Sequence, residues 1–111
     1  MEKIVTFEEF AKVDLRVGTI IEVNDFPEAR NPAYQLTIDF GALGIKKSSA
    51  QITTLYLKEN LLNRQVIAVV NFPKKQIGKF MSSCLVVGAV KDSDVCLLQP
   101  ELQIKNGSIV A

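Results

Sequence analysis

The apolar residues of this chain come in short runs with the spacing of strands, and proline or glycine stands between the runs. Val17-Gly-Thr-Ile-Ile-Glu-Val23 is rich in β-branched residues and stops at Asn24-Asp25. Leu36-Thr-Ile-Asp-Phe40 alternates apolar with polar, the pattern of a strand with one buried face. Gly41 and Gly44 bracket a turn, and Ile45 to Thr53 reads as a third strand with Lys46, Ser48 and Gln51 facing out. Val66-Ile-Ala-Val-Val70 and residues 84–90 read as buried strands, and residues 95–98 and 108–110 as edge strands. Pro27, Pro32, Pro73 and Pro100 fall between the runs, where proline removes no ladder hydrogen bond. Five or six such strands predict an all-β fold, a small closed or partly closed barrel. Spacing alone also admits an SH3-like barrel or a sandwich.

Helical signals are few. Thr6-Phe-Glu-Glu9 fits a capping box, with the Thr6 hydroxyl and the Glu9 carboxylate each reaching the other's amide. Phe7, Phe10 and Ala11 share one face of the short helix that follows. Two turns are marginal in isolation, so the two phenylalanines must pack on the body of the domain or on a second subunit. Leu55 to Leu62 reads as a helical turn or a loop.

With 111 residues the chain is expected to form one domain spanning residues 1–111 around one core. It contains no histidine and no closely spaced cysteine pair, which argues against a zinc site and against Ser-His or Cys-His catalysis. Asp14, Glu22, Asp39 and Glu59 bring no nucleophile or metal with them, so a non-enzymatic protein without cofactor is expected. Cys84 and Cys96 sit in apolar surroundings and are expected as buried, reduced thiols. No apolar stretch is long enough to span a membrane, and the acidic N-terminus lacks the pattern of a secretion signal. A cytoplasmic protein with no membrane insertion is the expectation.

Charge is segregated along the chain. Residues 40–91 hold eight basic side chains and one acid, whereas the remainder holds five basic and eleven acidic, for a net of +1. If folding keeps the middle of the chain together, it presents a face for a polyanion or an acidic partner. The densest segment is Asn71-Phe-Pro-Lys-Lys-Gln-Ile-Gly-Lys-Phe-Met-Ser-Ser83, with three lysines, two phenylalanines and no acid. It reads as a basic, aromatic-bearing loop between two core strands, a placement typical of binding loops.

Several segments together resemble a known family. Val13-Asp-Leu-Arg-Val-Gly-Thr-Ile20, Phe26-Pro-Glu-Ala-Arg-Asn-Pro-Ala33, Leu36-Thr-Ile-Asp-Phe-Gly41 and Asn71 to Ser82 follow in the order seen in the tRNA-binding domain family. Within it, Pro27-Glu-Ala-Arg30, Ser48-Ser-Ala-Gln-Ile-Thr53, Val66 to Pro73 and Leu97-Leu-Gln-Pro100 are most similar to the CsaA-type secretion chaperones. The resemblance covers nearly the whole chain. It implies a five-stranded OB-fold barrel with a short N-terminal helix, and extra N- and C-terminal elements that build a homodimer. It also implies binding of unfolded or precursor polypeptides for protein export, a link to export machinery, and binding of tRNA as the alternative.

The resemblance implies where ligands sit. Asn71, Lys74, Lys75, Lys79 and Ser82 align with the portion that contacts RNA in tRNA-binding relatives, and Lys46 adds a cation on a neighbouring strand. Two departures weaken specific tRNA reading. Those relatives commonly end this portion Ser-x-Gly-Met where this chain has Ser82-Ser-Cys-Leu85, and lysines with Gln76 replace an arginine-rich loop. Phe72, Ile77, Phe80 and Met81, alternating with lysines, suit a permissive peptide pocket with a basic rim. Phe26 to Tyr34 is a second candidate rim, in which Arg30 and Tyr34 are expected to hydrogen-bond an extended peptide backbone or a base. Phe7, Phe10, Leu102, Ile104 and Ile109 are the expected dimer contacts. Asp14, Arg16 and Gly18 are expected to build the fold rather than touch ligand.

Overall fold

A computed structural model describes residues 3–111. Residues 1 and 2, part of the acidic terminus expected to carry no secretion signal, lie outside them. Helix α1 (Phe7–Ala11) begins with the capping box that the sequence predicts: the Thr6 Oγ1 accepts from the Glu9 amide at 3.1 Å, and Glu9 Oε1 accepts from the Thr6 amide at 2.9 Å. The chain then runs through β1 (Leu15–Asp25), β2 (Tyr34–Asp39), β3 (Ile45–Ala50), helix α2 (Lys58–Leu61) and β4 (Gln65–Val69). Six short strands follow: β5 (Lys75–Ile77), β6 (Phe80–Ser82), β7 (Leu85–Val86), β8 (Gly88–Lys91), β9 (Asp94–Leu97) and β10 (Ile109–Val110).

The main sheet has the antiparallel order β3-β2-β1-β4-β7, with β10 added to β1. Besides β10, β1 serves two neighbours: its first half, Leu15–Thr19, pairs with β4, and its second half, Thr19–Asp25, pairs with β2. A register slip between Ile20 and Glu22 lies where the strand changes partner. Such a bulge bends a strand and sharpens its twist, which is what one strand needs in order to serve two walls of a barrel. Gly18 stands just before the bend, and a Cβ there would lie 2.6 Å from Ile38 Cγ2 and 2.7 Å from the Phe40 ring. The glycine is required because the core fills its place.

The barrel closes between β3 and the segment after β6. The Ser83 amide donates to the Lys47 carbonyl at 2.8 Å, and the Lys47 and Ser49 amides donate to the hydroxyls of Ser83 and Ser82, both at 3.4 Å. Ile20, Leu36, Ile38, Phe40, Leu61, Val66 and Ala68 fill the interior and are fully buried. On β2 burial alternates strictly, as the residue pattern predicts.

The C-terminal segment is laced to the barrel. Arg16 bonds Asp14 Oδ1 through Nε at 2.6 Å and donates from Nη1 to the Gly107 carbonyl at 3.0 Å. Gln65 donates to the Ile104 carbonyl at 2.6 Å and to Asn106 Oδ1 at 3.1 Å, while its own Oε1 accepts from the Ile104 amide. Asp14, Arg16 and Gly18 thus act in building the fold.

Four expectations are corrected. Ser48 does not face out. It is 1% exposed and lies opposite Leu36, with its hydroxyl donating to the Ser49 carbonyl. Residues 84–90 are not one buried strand: Leu85 and Val90 are exposed, and the chain leaves the barrel after β7 to form the β8–β9 hairpin. Gly88 permits this, because a Cβ there would meet Val95 Cγ1 at 2.6 Å and the Cys96 carbonyl oxygen at 2.8 Å. Only Cys84 is a buried thiol, and Cys96 is exposed, although both are unpaired as expected. Finally, residues 71–83 are not an irregular loop. β5 and β6 form a hairpin with Lys75 opposite Ser82, Gln76 opposite Met81 and Ile77 opposite Phe80. Gly78 opens its two-residue turn at φ +59°, a conformation that favours glycine.

Candidate ligand-binding cleft

The β1–β2 loop (residues 26–33), the end of β3 and the β5–β6 hairpin enclose a cleft of about 420 Å³. Each wall follows from local sequence. Phe26 is buried and anchors the start of the loop, and its ring meets Phe80 at 5.2 Å between centroids and 59° between planes. This aromatic pair sets the hairpin against the loop, in the tilted geometry that aromatic rings prefer. Glu28 packs close to the turn glycine of the hairpin: a Cβ on Gly78 would lie 3.7 Å from that of Glu28. Phe26, Ala29, Ala33 and Ile77 give the cleft an apolar lining. Arg30 and Lys75 supply positive charge, and Asn31, Ser49, Gln51 and Gln76 supply hydrogen-bonding groups. Among the described residues, no carboxylate lines it.

The predicted site residues divide. Arg30, Ile77 and Lys75 line this cleft together, and Phe80 supports it through Phe26. Met81 lies across from Gln76, on the hairpin face opposite Ile77 and Phe80, and is half exposed. Phe72 is exposed beyond the start of the hairpin and lines neither this cleft nor the second one described below. Lys74 and Lys79 are exposed on the hairpin. Lys46 is half-buried on the β3 face that carries Ser48 and lies outside the cleft.

Three residues are committed elsewhere. Tyr34 is 8% exposed and its hydroxyl donates to the Tyr56 carbonyl at 2.9 Å, so its ring is core rather than rim. The Tyr56 hydroxyl in turn accepts from the Leu97 amide at 3.0 Å. Asn71 spends both ends of its amide on the backbone of the N-terminal segment. Ser82 uses its hydroxyl to close the barrel. Phe26, at the head of the rim expected over Phe26 to Tyr34, lines the cleft as a buried anchor.

A second cleft, of about 430 Å³, lies between α1 and β10. Phe7, Phe10, Val13, Asn71, Ile109 and Val110 are among its lining. Helix α1 buries none of its residues, and Phe7 is 80% exposed. Leu102 and Ile104 are also exposed but stand outside this cleft, on a backbone that Gln65 holds in place.

Burial raises the Cys84 thiol pKa to about 11, with the Lys46 charge opposing the shift. Among the described residues, no group of three or more His, Cys, Asp or Glu side chains could hold a metal ion. No helix among them is long and apolar enough to cross a membrane.

A five-stranded barrel whose β1–β2 loop and a neighbouring hairpin flank a ligand-sized cleft belongs to the OB class of binding modules. The model of the family described as "Putative tRNA binding domain" matches residues 15–109, and the chain belongs to that tRNA-binding domain family, in its CsaA-type branch. The chaperone CsaA of Bacillus anthracis str. Ames is 48% identical, with a TM-score of 0.93 over 98% of this chain and 100% of that one. The CsaA chaperone protein of Picrophilus torridus is 50% identical, with a TM-score of 0.90 over 97% and 100%. A methionine–tRNA ligase of Pyrococcus furiosus is 38% identical over 106 residues, which are 96% of this chain and 14% of the ligase. The chain therefore corresponds to a small part of such ligases.

Proposed function

We propose that this protein is a non-enzymatic, homodimeric chaperone of the cytoplasm that holds unfolded or precursor polypeptides destined for export. The cleft with Phe26, Ala33 and Ile77 on its walls and Arg30 and Lys75 at its edge carries the reading. An apolar lining with a few convergent polar groups suits an extended segment with apolar and acidic side chains. The likeness to two chaperones over the full length of both chains supports it. The exposed phenylalanines of α1 and the exposed Ile109 support a second copy as the cover of the α1–β10 cleft, since monomers rarely leave such apolar surface open.

The test is binding of an unfolded, fluorescently labelled precursor polypeptide, followed by anisotropy. Arg30→Glu with Lys75→Glu is expected to weaken binding about tenfold or more, since it reverses both charges at the cleft. Binding that is absent in the native protein, or indifferent to this double change, overturns the reading.

tRNA binding is the second reading, favoured by the matching family model and by Lys74, Lys75 and Lys79 on one hairpin. It predicts an affinity that falls steeply with salt and with alanine at those lysines. Competition between labelled peptide and tRNA shows whether the hairpin serves both.

A further inference from the structure

The seam that closes the barrel ends at Ser49, and the cleft takes in the edge of the chain just past it. Over β3 and the two residues after it the side chains alternate: Ser48 and Ile52 face the interior, at 1% and 3% exposed, while Ser49 is half-buried and Gln51 exposed. Backbone groups follow the same period of two. Lys47 turns its amide and carbonyl away from β2, since both bond Ser83, and Ser49 turns its amide to Ser82 on the same side. In this extended stretch the amide and carbonyl of Gln51, two residues further on, point that way as well. No hydrogen bond joins either group to another described residue. Ser49 and Gln51 both line the cleft, together with Lys75, Gln76 and Ile77 of β5. The cleft is therefore bordered by a strand edge with one donor and one acceptor unpaired, the kind of edge that recruits another strand.

Resting on the chaperone reading, we infer that the cleft takes its polypeptide as an added β-strand, paired through its backbone to Gln51 and presenting side chains two positions apart to the lining. The pairing asks the ligand for one N–H and one C=O, which any stretch without proline supplies, so these bonds hold clients of many sequences. Preference among sequences then comes from side chains. A strand turns every second side chain to the same face. The apolar lining of Phe26, Ala29, Ala33 and Ile77 and the cations Arg30 and Lys75 thus read positions i and i+2, not adjacent residues or residues one helical turn apart. An apolar and an acidic residue at that spacing are the match. A phosphodiester backbone has no N–H to give the Gln51 carbonyl.

The test uses labelled nine-residue peptides in a Thr-Gln background, with the native protein and anisotropy. One carries Phe and Asp two positions apart; two others of the same composition carry them adjacent or three apart; each is made in both orders. The better order of the first is expected to bind about fivefold or more tighter than the others. That peptide is then N-methylated at alternate residues, in each of the two phases. One phase should lose about tenfold or more and the other stay within about twofold, since only one row of amides faces Gln51. Gln51→Pro removes an N–H that the β2 ladder does not use, and it should weaken binding about fivefold relative to Gln51→Ala, which keeps the backbone donor. Should Gln51→Pro fail to fold, the methylated peptides still decide. Equal response to the two methylation phases, or equal binding of the three spacings, overturns strand addition while leaving the chaperone reading in place. Binding of none of the peptides overturns both. A uridine-rich oligoribonucleotide weakened by Gln51→Pro and not by Gln51→Ala overturns the choice of polypeptide.

Discussion

Asn71 and Asp14 are joined across the end of the barrel: the Asn71 Oδ1 accepts from the Asp14 amide at 3.0 Å. On its other side the Asn71 Nδ2 donates to the Lys12 carbonyl at 2.7 Å. One side chain at the end of β4 therefore fixes the segment that carries α1. Asn71→Ala is expected to lower stability by about 1–2 kcal/mol, the net worth of two such bonds. Amide exchange should accelerate in residues 6–14. Urea unfolding and hydrogen exchange check this, and an unchanged α1 segment would show that the latch carries no weight.

Phe7 and Phe10 lie in a helix none of whose residues is fully buried within its own chain, and Phe7 is 80% exposed. With the partner proposed above, Phe7→Asp together with Phe10→Asp should raise the dimer dissociation constant by about a hundredfold or more, since buried aromatic anchors dominate interfaces. Light scattering over a concentration series measures it. A native protein that is monomeric at all concentrations refutes the assignment of this face.

Cys84 and Cys96 should differ in reactivity. A thiol with its pKa raised to about 11 by burial stays protonated at pH 8, and the thiolate is the nucleophile. Alkylation of the folded protein at that pH is expected to mark Cys96 and spare Cys84, as mass spectrometry would show. The same shift links to stability. The unfolded thiol ionises near its ordinary value of 9.0 and the folded one only near 11. Stability from this group is thus complete below pH 9 and is lost as pH rises from 9 to 11, by about 2–3 kcal/mol at most. Cys84→Ala should flatten that part of the pH profile.

Gly18 has no room for a methyl group between Ile38 and Phe40. Gly18→Ala is expected to cost about 2–3 kcal/mol through overpacking. Phe40→Leu in the same chain should recover part of this, because the two changes share one contact. Additive losses in thermal or urea unfolding would place the strain elsewhere.

The barrel was legible wherever burial follows residue period. On β2 the alternation Leu36-Thr-Ile-Asp-Phe40 translates directly into its two faces, and Thr6 with Glu9 marks the helix start. Legibility failed where a residue's role comes from distant partners. Ser48 is polar yet faces the interior, because β3 must keep the register that its pairing with β2 sets. The lysines of the β5–β6 hairpin disguise two strands, and only Gly78 betrays the turn. In the cleft, Arg30, Lys75 and Ile77 were foreseeable from type and segment. Tyr34 and Asn71 were misplaced because their hydrogen-bond partners, Tyr56 and the 12–14 backbone, lie far away in sequence.

The serine-mediated closure of the barrel has a mechanical consequence. Two of the bonds across that seam are 3.4 Å long and end on hydroxyls, whereas backbone ladders hold the other strand pairs. Longer bonds are weaker, so local opening should start here and leave the core sheet paired. Ser49, on this seam, also lines the cleft. If the cleft binds as proposed, its β3 wall should act as an expansion joint, spreading for a bulky side chain and closing on a small one about the shorter Ser83–Lys47 backbone bond, while Ile20, Leu36 and Phe40 stay packed beneath it.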